Sequence, residues 1–235
     1  MLFQDVCIAG VAHVDAPVRL SSATIVRRLQ PALERLGVRG GLLEEVAGIR
    51  ERRVWDGPMP VPDAATMAAR RALAAAGVAG TRIGVLINTS VCRDYLEPST
   101  ASVVHGNLGL TDTCENFDLG NACLAFMSGM DVAAHMIERR DIEYALIVDG
   151  EASNEITEST IERPNAPDAT ADQFRQEFAS LTLGSGAAAM VLGRSDLLAD
   201  GHRYRGGVTR AATEFTHLCR GTMRLVTRRL GRRRG

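Results

Sequence analysis

The 235-residue sequence contains no lysine, so all 27 of its basic residues are arginines. Aromatic residues make up only 4% of the chain. No apolar run approaches the ~20 residues that a membrane-spanning helix requires. The first residues lack the basic and apolar regions of a signal peptide, which favours a cytoplasmic location. With 46% hydrophobic and 23% charged residues, the composition is that of an ordinary globular protein.

The five cysteines are an odd number and lack the short spacing of a zinc-binding motif. They are Cys7, Cys92, Cys114, Cys123 and Cys219. We therefore expect free thiols rather than disulfides or metal ligands, and Cys92 is expected to be an ordinary buried thiol. The sequence predicts neither a metal nor a cofactor.

Charge is distributed unevenly, although the formal net charge is only −1. Residues 220–235 contain seven arginines and no acidic residue. One interpretation is a basic tail that binds nucleic acid or a membrane surface. The interpretation that we favour is a frameshifted reading of GC-rich DNA, because the segment has no pattern, and we therefore predict no nucleic-acid partner. The DNA that follows codon 221, translated in all three frames, tests this interpretation.

Short apolar runs alternate with amphipathic segments along the chain, which predicts an α/β layered fold with a mainly parallel sheet. Strands are predicted at 6–12, 83–87, 114–119, 144–148 and 187–192, with a further one at 203–214. Helices are predicted at 22–36, 62–76, 99–108 and 123–139. Residues 151–172 are polar, contain two prolines and are expected to form a long excursion or lid.

Residues 116–129 carry the most informative chemical pattern. A strand is followed by a turn of small residues, and an apolar helix begins at Cys123. The positive end of a helix dipole stabilises a thiolate, which is the nucleophilic form of cysteine. Backbone N–H groups at the same place hold the oxyanion that forms when a thioester is attacked. From these residues alone, an inert buried thiol is the more common role and stays open as an alternative.

Four stretches resemble the condensing enzymes of the thiolase superfamily, specifically those of the β-ketoacyl-ACP synthase III type. They are 48–53, 118–129, 144–150 and 183–192. The resemblance implies an acyltransferase of lipid metabolism that moves an acyl group from acyl-CoA or acyl-ACP to Cys123. A Claisen condensation to a 3-oxoacyl product then follows, with acyl-CoA as substrate and no separate cofactor.

The resemblance also implies a thiolase-like layered fold made of two similar halves. The first half is expected to occupy residues 1–200 and the beginning of the second half residues 201–221, followed by a non-family arginine-rich tail at 222–235. Relatives take a catalytic histidine and asparagine from the second half. Because that half is only begun here, the chain is identified as C-terminally truncated and impaired.

A fifth stretch, residues 90–99, resembles the olefin-pathway branch that joins two acyl-CoA chains head to head. In that branch a glutamate at the position of Glu97 reaches into the partner subunit's site, which implies a homodimer. The resemblance makes Glu97 the base that removes the α-proton of an acyl thioester, a suitable task for a carboxylate. Without this resemblance, Glu97 would be interpreted as a surface residue before a helix.

Two alternatives of a different class stay open: a non-catalytic remnant, and a subunit that pairs with an intact homologue. An unrelated cysteine hydrolase is less favoured, because no histidine partner for Cys123 is recognisable. His135 lies on the same predicted helix at ~18 Å along the axis and is too distant to be the base.

Two further expectations concern the surface. The basic turn is interpreted either as a CoA-phosphate contact or as a solvated turn, and its residues are Arg50, Arg52 and Arg53. An exposed apolar stripe is expected on the helix after Cys123, where the counterpart from the second half is missing, and its residues are Met127, Met130, Ala134 and Ile137. Such a stripe predicts an aggregated or oligomeric chain that binds hydrophobic dyes.

Overall fold

The computed structural model describes residues 2–198 and 201–216, which form an α/β structure with helices on both faces of a central sheet. The strands are β1 (Val6–Asp15), β2 (Val18–Ser21), β3 (Glu51–Val54), β4 (Ile83–Asn88), β5 (Glu115–Asp118), β6 (Tyr144–Glu151), β7 (Gly186–Arg194) and β8 (His202–Arg203). The helices are α1 (Ser22–Leu36), α2 (Leu42–Glu45), α3 (Val61–Ala76), α4 (Thr100–Leu108), α5 (Ala125–Glu138), α6 (Asn154–Glu162) and α7 (Ala171–Glu177).

The central sheet is mixed, with six strands in the order β5-β4-β6-β7-β1-β8. Strand β4 pairs in parallel with β5 and β6, whereas the β6–β7, β7–β1 and β1–β8 pairs are antiparallel. The prediction of a mainly parallel sheet is therefore wrong. Helices cover both faces of this sheet, so its antiparallel strands are also continuously apolar, and an apolar run does not reveal strand direction.

Helix α3 packs closely against one face of the sheet because its inner surface is made of small side chains. Its fully buried alanines are Ala64, Ala65, Ala68, Ala69 and Ala72. Glycine on the facing strand permits the approach, since a Cβ at Gly150 of β6 would lie only 2.5 Å from the Val61 carbonyl oxygen. Helix α5 covers the opposite face, with Ala133 packed among residues of β4, β6 and β7.

Most of the predicted strands and helices are present within a few residues of their predicted bounds. Helix α1 begins and ends as predicted, and Gly77 ends α3 in the left-handed conformation at φ 64°. The long excursion or lid expected at 151–172 is part of an excursion between β6 and β7, and it is largely helical. The strand expected at 203–214 is wrong, because only β8 is present there. The two-stranded sheet of β2 and β3 was not predicted at all.

The helices α1, α6 and α7 share a third cluster of buried side chains beside the sheet. Its members are Ile25, Leu29, Leu33, Leu43, Ile161, Phe174 and Leu181. Polar residues outnumber apolar ones in the segment that contains α6 and α7, but Ile161 of α6 and Phe174 of α7 are buried. The segment therefore folds against α1 instead of extending into solvent.

The expected apolar stripe on α5 is only partly correct. Met127 is 53% exposed, but Met130 is only 5% exposed, and Ala134 and Ile137 are fully buried against the sheet. The exposed apolar residues beside Met127 are Leu124 and Val132. This helix is apolar on nearly every side, so periodicity alone does not identify the face that contacts the sheet.

The boundary predicted after residue 221 and the tail at 222–235 lie outside the described residues, as do His217 and Cys219. The domain boundaries therefore stay predictions. Within residues 2–198 and 201–216, no helix is long and apolar enough to cross a membrane. The same residues contain no group of three or more histidines, cysteines or acids arranged to hold a metal ion.

Candidate active site

Polar residues collect where the three parallel strands end. The parallel pairing finishes at Asn88 of β4, Asp118 of β5 and Val148 of β6, which lie side by side in the sheet. The residues that follow leave the sheet at the same edge. In open α/β sheets this carboxyl edge is the usual place for a binding or catalytic site.

The segment that follows β5 turns sharply into α5 and carries Cys123. Residues Ala122–Leu124 form a 3₁₀ turn, and α5 begins at Ala125, so the prediction that the helix starts at Cys123 is two residues early. Ala122 has a φ of 45°, a conformation that residues other than glycine rarely adopt. Backbone conformations of this kind cluster at functional sites, where the surrounding structure holds them in place.

This turn, which we call the elbow (residues 119–124), presents the Cys123 thiol at the surface. Cys123 is exposed, as are its neighbours Ala122 and Leu124. The turn is held by a hydrogen bond from the Leu124 N–H to the Asn121 carbonyl oxygen at 3.0 Å. The Asn121 side-chain amide also donates to Ser128 Oγ at 3.0 Å. Cys123 thus lies where the first N–H groups of α5 have no partner within the helix.

The histidines of the described residues lie away from the elbow. His13 is in β1, His105 is in α4 and His202 is in β8, while His135 is in the last turn of α5. The His135 ring contacts the Asp131 carbonyl oxygen through Nδ1 at 2.6 Å. Its position agrees with the expectation that it is too far along the helix to assist Cys123.

Glu97 lies on an exposed loop between β4 and α4, which we call the Glu97 loop (residues 91–99). Its neighbour Leu96 is 79% exposed, and Tyr95 is also largely exposed. Within the described residues no hydrogen bond joins Glu97 to Cys123. The role of Glu97 as a base that acts across a subunit interface stays a prediction.

Cys92 differs from Cys123 in both position and chemistry. It is half-buried, its Sγ lies 3.7 Å from the Ala152 carbonyl oxygen, and the Glu151 carboxylate is nearby. Burial, followed by the negative charge of Glu151, raises the pKa of the Cys92 thiol to about 12. The thiol is therefore protonated at neutral pH, in agreement with the expectation that Cys92 is inert.

The three arginines of the predicted basic turn have different environments. Arg52 is only 6% exposed and donates to the Leu20 carbonyl oxygen at 3.3 Å and to Ser22 Oγ at 3.0 Å. Burial lowers its pKa. The expectation that Arg52 meets CoA phosphates is wrong, because its guanidinium group holds α1 against β3. Arg53 is half-buried, and Arg50 is exposed.

Sequence reasoning missed a chain of buried polar groups across the carboxyl edge. The Gly150 N–H donates to Ser90 Oγ at 2.9 Å, and Ser90 Oγ donates to Asn88 Oδ1 at 2.7 Å. The Asn88 amide donates to Asp118 Oδ1 at 3.2 Å. The available signal was a polar residue directly after an apolar run, at Asn88 and at Asp149.

The second missed feature is the pair of carboxylates at the end of β6. The pKa of Asp149 is raised to about 6, mainly by burial; a hydrogen bond from Thr89 opposes this rise, and the nearby Glu151 adds to it. Asp149 and Glu151 border an open cleft of about 330 Å³ together with His13, Asp15 and Ser185.

Comparison with known proteins agrees with this geometry. The family profile described as 3-oxoacyl-[acyl-carrier-protein (ACP)] synthase III matches residues 117–204, which include the elbow. An acyl-CoA:acyl-CoA alkyltransferase of Xanthomonas campestris is 59% identical over 228 residues, covering 97% of this chain and 68% of the relative. Its counterpart in Shewanella oneidensis is 34% identical over 222 residues, covering 93% of this chain and 63% of that relative.

A solved structure shows the same fold. The OleA variant of Xanthomonas campestris in which a cysteine is replaced by serine, bound to lauric acid and lauroyl-CoA, superimposes with a TM-score of 0.91 at 58% identity. The match covers 94% of this chain and 66% of that chain. The predicted thiolase-like fold is thereby confirmed. This chain spans about two thirds of the length of these relatives.

The layered α/β fold with a cysteine at the start of a buried helix defines a thiolase-like condensing enzyme. More narrowly, the chain belongs to the 3-oxoacyl-ACP synthase III type of this class, a family of acyltransferases that includes the acyl-CoA:acyl-CoA alkyltransferases. The predicted family is therefore confirmed.

Proposed function

We propose that this chain carries the acyl-accepting half of a condensing acyltransferase, with Cys123 as the nucleophile and acyl-CoA as the donor. The observation that carries the proposal is the elbow, where the exposed Cys123 follows the positive φ of Ala122 and precedes the first turn of α5.

The first step is acyl transfer. The Cys123 thiolate attacks the carbonyl carbon of acyl-CoA, and the negative charge moves to the carbonyl oxygen. Backbone N–H groups of the elbow and of the first turn of α5 stabilise that oxyanion. Collapse of the intermediate breaks the bond to the CoA sulfur, so the products are acyl-Cys123 and CoA thiolate, which takes up the proton lost by Cys123.

The second step is a Claisen condensation in which Glu97 is the base. The Glu97 carboxylate removes the α-proton of one acyl thioester, and the resulting carbanion attacks the carbonyl carbon of the other. One carbon–carbon bond forms and one carbon–sulfur bond breaks. The departing thiolate receives the proton from Glu97, and the product is a 3-oxoacyl thioester.

The solved relatives support both assignments. One OleA structure replaces a glutamate by aspartate and another replaces a cysteine by serine. The two altered positions are as far apart in that sequence as Glu97 and Cys123 are in this one. The serine variant holds lauric acid and lauroyl-CoA, which supports a long-chain acyl-CoA as the donor here.

The exposed position of Glu97 supports a second subunit as the place where it acts. Glu97 lies at the surface beside Tyr95 and Leu96, which are largely exposed and apolar enough to enter an interface. We therefore propose a dimer in which the Glu97 loop of one chain approaches the elbow of the other.

Other OleA structures carry a substituted histidine. In that sequence the histidine follows the cysteine at a greater separation than the one between Cys123 and residue 235 here, so this chain has no residue at the corresponding position.

Mass spectrometry after incubation with lauroyl-CoA tests the nucleophile. The 235-residue chain should gain the mass of one lauroyl group, and peptide mapping should place it on Cys123. Cys123→Ala should abolish the adduct, whereas the matched variant Cys92→Ala should form it at the unaltered rate. Equal labelling of the two variants would overturn the assignment. Absence of any adduct on the unaltered chain would favour the non-catalytic alternative instead.

A further inference from the structure

The Glu97 loop is tied down at its beginning, although its surface is largely exposed. The carboxylate of Glu151 accepts hydrogen bonds from the backbone N–H of Val91 at 2.6 Å and of Cys92 at 3.1 Å. Further along, Asp94 Oδ2 accepts from the Val61 N–H at 2.7 Å, which joins the loop to the start of α3. These contacts hold the beginning of the loop. The part that contains Glu97 is held from the other end, next to α4.

That other end is fixed by Asp118, the last residue of β5. Asp118 Oδ1 accepts from the Ala101 N–H at 2.8 Å, and Oδ2 accepts from the Thr100 N–H at 3.1 Å. Oδ1 also accepts from the Asn88 amide at 3.2 Å. The side chain is only 9% exposed, so these charge-assisted bonds are shielded from water. One carboxylate therefore joins the end of β4, the end of β5 and the first turn of α4.

Arg93 brings the beginning of the same loop to Asp118. Its Nη1 lies 3.8 Å from Asp118 Oδ2. Its Nη2 lies 3.6 Å from the position that a Cβ on Gly120 would occupy. Gly120 belongs to the elbow, so the Arg93 side chain lies between the Glu97 loop and the segment that carries Cys123.

A simple helix cap does not account for these contacts, because α4 already has one. Ser99 Oγ accepts a hydrogen bond from the Ser102 N–H at 3.1 Å, which is the usual capping contact. Asp118, at the end of β5, instead accepts hydrogen bonds from the first two N–H groups of α4, those of Thr100 and Ala101. Its contacts therefore set where α4, and with it the residues just before α4, lies relative to the elbow.

We propose that Asp118 is a positioning residue that fixes the Glu97 loop against the elbow that carries Cys123. The inference deepens the function proposed above and rests on it for the role of Glu97. In a symmetric dimer, a Glu97 loop that is held in one orientation places the Glu97 carboxylate at one position on the partner subunit. Misplacement of a reacting group by ~1 Å costs about 10²-fold in rate, so this anchorage matters to the proton transfer.

The test separates the two steps in the 235-residue chain. Acylation of Cys123 by lauroyl-CoA is followed by mass spectrometry, and α-proton removal by deuterium uptake from D₂O into the α-carbon of the acyl thioester. Asp118→Asn, which replaces one acceptor oxygen by a donor, should leave acylation within about 3-fold while slowing α-exchange by about 10²-fold. Because Glu97 itself is unaltered, the shape of the pH profile of exchange should not change.

Glu97→Gln distinguishes failure of this inference from failure of the proposed function. If Glu97→Gln leaves α-exchange unaltered, Glu97 is not the base, and the proposed function fails in that step. If Glu97→Gln slows exchange but Asp118→Asn does not, the positioning role is wrong and the base assignment stands. Ser21→Ala, which removes the cap of α1 by deleting the oxygen that accepts from the Thr24 N–H, is the matched control and should change neither step.

Backbone hydrogen exchange gives a readout that does not depend on activity. Amides of residues 93–97 should exchange at least 10-fold faster in Asp118→Asn than in Ser21→Ala. If Asp118→Asn fails to fold, Thr100→Pro serves as the second variant, because it deletes one donor to Asp118 at a helix position where proline is tolerated. Unaltered loop exchange in whichever variant folds would overturn the inference.

Discussion

The Glu151 carboxylate accepts a hydrogen bond from the backbone N–H of Cys92 at 3.1 Å, and so lies beside the Cys92 thiol. This relationship explains why two cysteines at the same edge of the sheet differ in chemistry. Burial and the negative charge of Glu151 raise the pKa of the Cys92 thiol to about 12 and keep it protonated. Cys123 has an exposed position at the start of α5.

We predict that, of the four cysteines in the described residues, Cys123 is modified first by iodoacetamide. At pH 8, a pKa near 12 leaves a thiolate fraction of only ~10⁻⁴ at Cys92, and the thiolate is the reacting form. Cys7 and Cys114 are buried and should be protected in the folded chain. Peptide mapping after timed alkylation measures the order of reaction.

Replacing the neighbouring carboxylate provides the control. Glu151→Gln removes the negative charge and should speed alkylation of Cys92 at pH 8 without altering that of Cys123. Modification of Cys92 before Cys123 in the unaltered chain would contradict the contrast between the two environments.

A second prediction concerns the contact between β6 and α3. A Cβ at Gly150 would lie 2.5 Å from the Val61 carbonyl oxygen and 2.9 Å from the Ala65 nitrogen, both backbone atoms that cannot move aside. Gly150→Ala should therefore lower the free energy of unfolding by about 3 kcal/mol, at the upper end of overpacking effects. Urea denaturation measures the loss.

Gly106 is the matched control for this substitution. It lies inside α4 and is exposed, and a Cβ placed on it would meet no atom within 4 Å. Gly106→Ala should raise the stability by up to ~1 kcal/mol, because alanine favours a helix more than glycine does. Equal effects of the two substitutions would mean that α3 does not approach β6 as closely as described.

The sequence predicts those elements whose signal is local. Gly77 ends α3 because glycine adopts the left-handed conformation easily, and the apolar run of β4 is long enough to be a buried strand. The resemblance carried by the elbow identified the family, although composition and periodicity alone did not separate a nucleophile from an inert thiol at Cys123.

Features that depend on the tertiary structure were not predictable in the same way. The direction of β7 is set by its neighbours β1 and β6, and the polar segment around α7 is ordered because Phe174 packs against the α1 cluster. A local signal was nevertheless present and missed: Thr170 and Gln173 form a reciprocal capping box at the start of α7. Asp118 belongs to the stretch 118–129 that carries the family resemblance, but only the folded structure shows its contacts with α4.

A third prediction follows from the corrected packing of α5. Ile137 is fully buried against the sheet, so Ile137→Ala should cost about 2–5 kcal/mol of unfolding free energy. Met127→Ala should change it by less than about 0.5 kcal/mol, since Met127 is largely exposed. The reverse order would mean that α5 is rotated about its axis.

The oligomeric state that binds hydrophobic dyes, which we expect from the sequence, stays a prediction. Met127→Gln should weaken the fluorescence of a bound dye, because Met127 is an exposed apolar residue.

The last prediction concerns Asp149, whose pKa is raised to about 6 mainly by burial. The folded chain therefore holds this proton more tightly than the unfolded chain, in which the carboxyl has its ordinary pKa of about 4. By linkage, Asp149 lowers the stability progressively as the pH rises from ~4 to ~6, and the full loss persists above that range. Below pH 4 the carboxyl is protonated in both states and contributes no such loss.

Asp149→Asn should accordingly stabilise the chain at pH 8 and leave its stability nearly unaltered at pH 4. The shift corresponds to about 1–3 kcal/mol, which raises Tm by ~2–4 °C per kcal/mol in a domain of this size. Asparagine keeps an oxygen that accepts the Thr89 hydroxyl hydrogen bond of 2.8 Å, so the contact survives the substitution. Thermal melts at both pH values measure the difference, with Asp112→Asn on the exposed surface as control. An equal change in Tm at pH 4 and pH 8 would show that the effect of Asp149 is steric and not due to its charge.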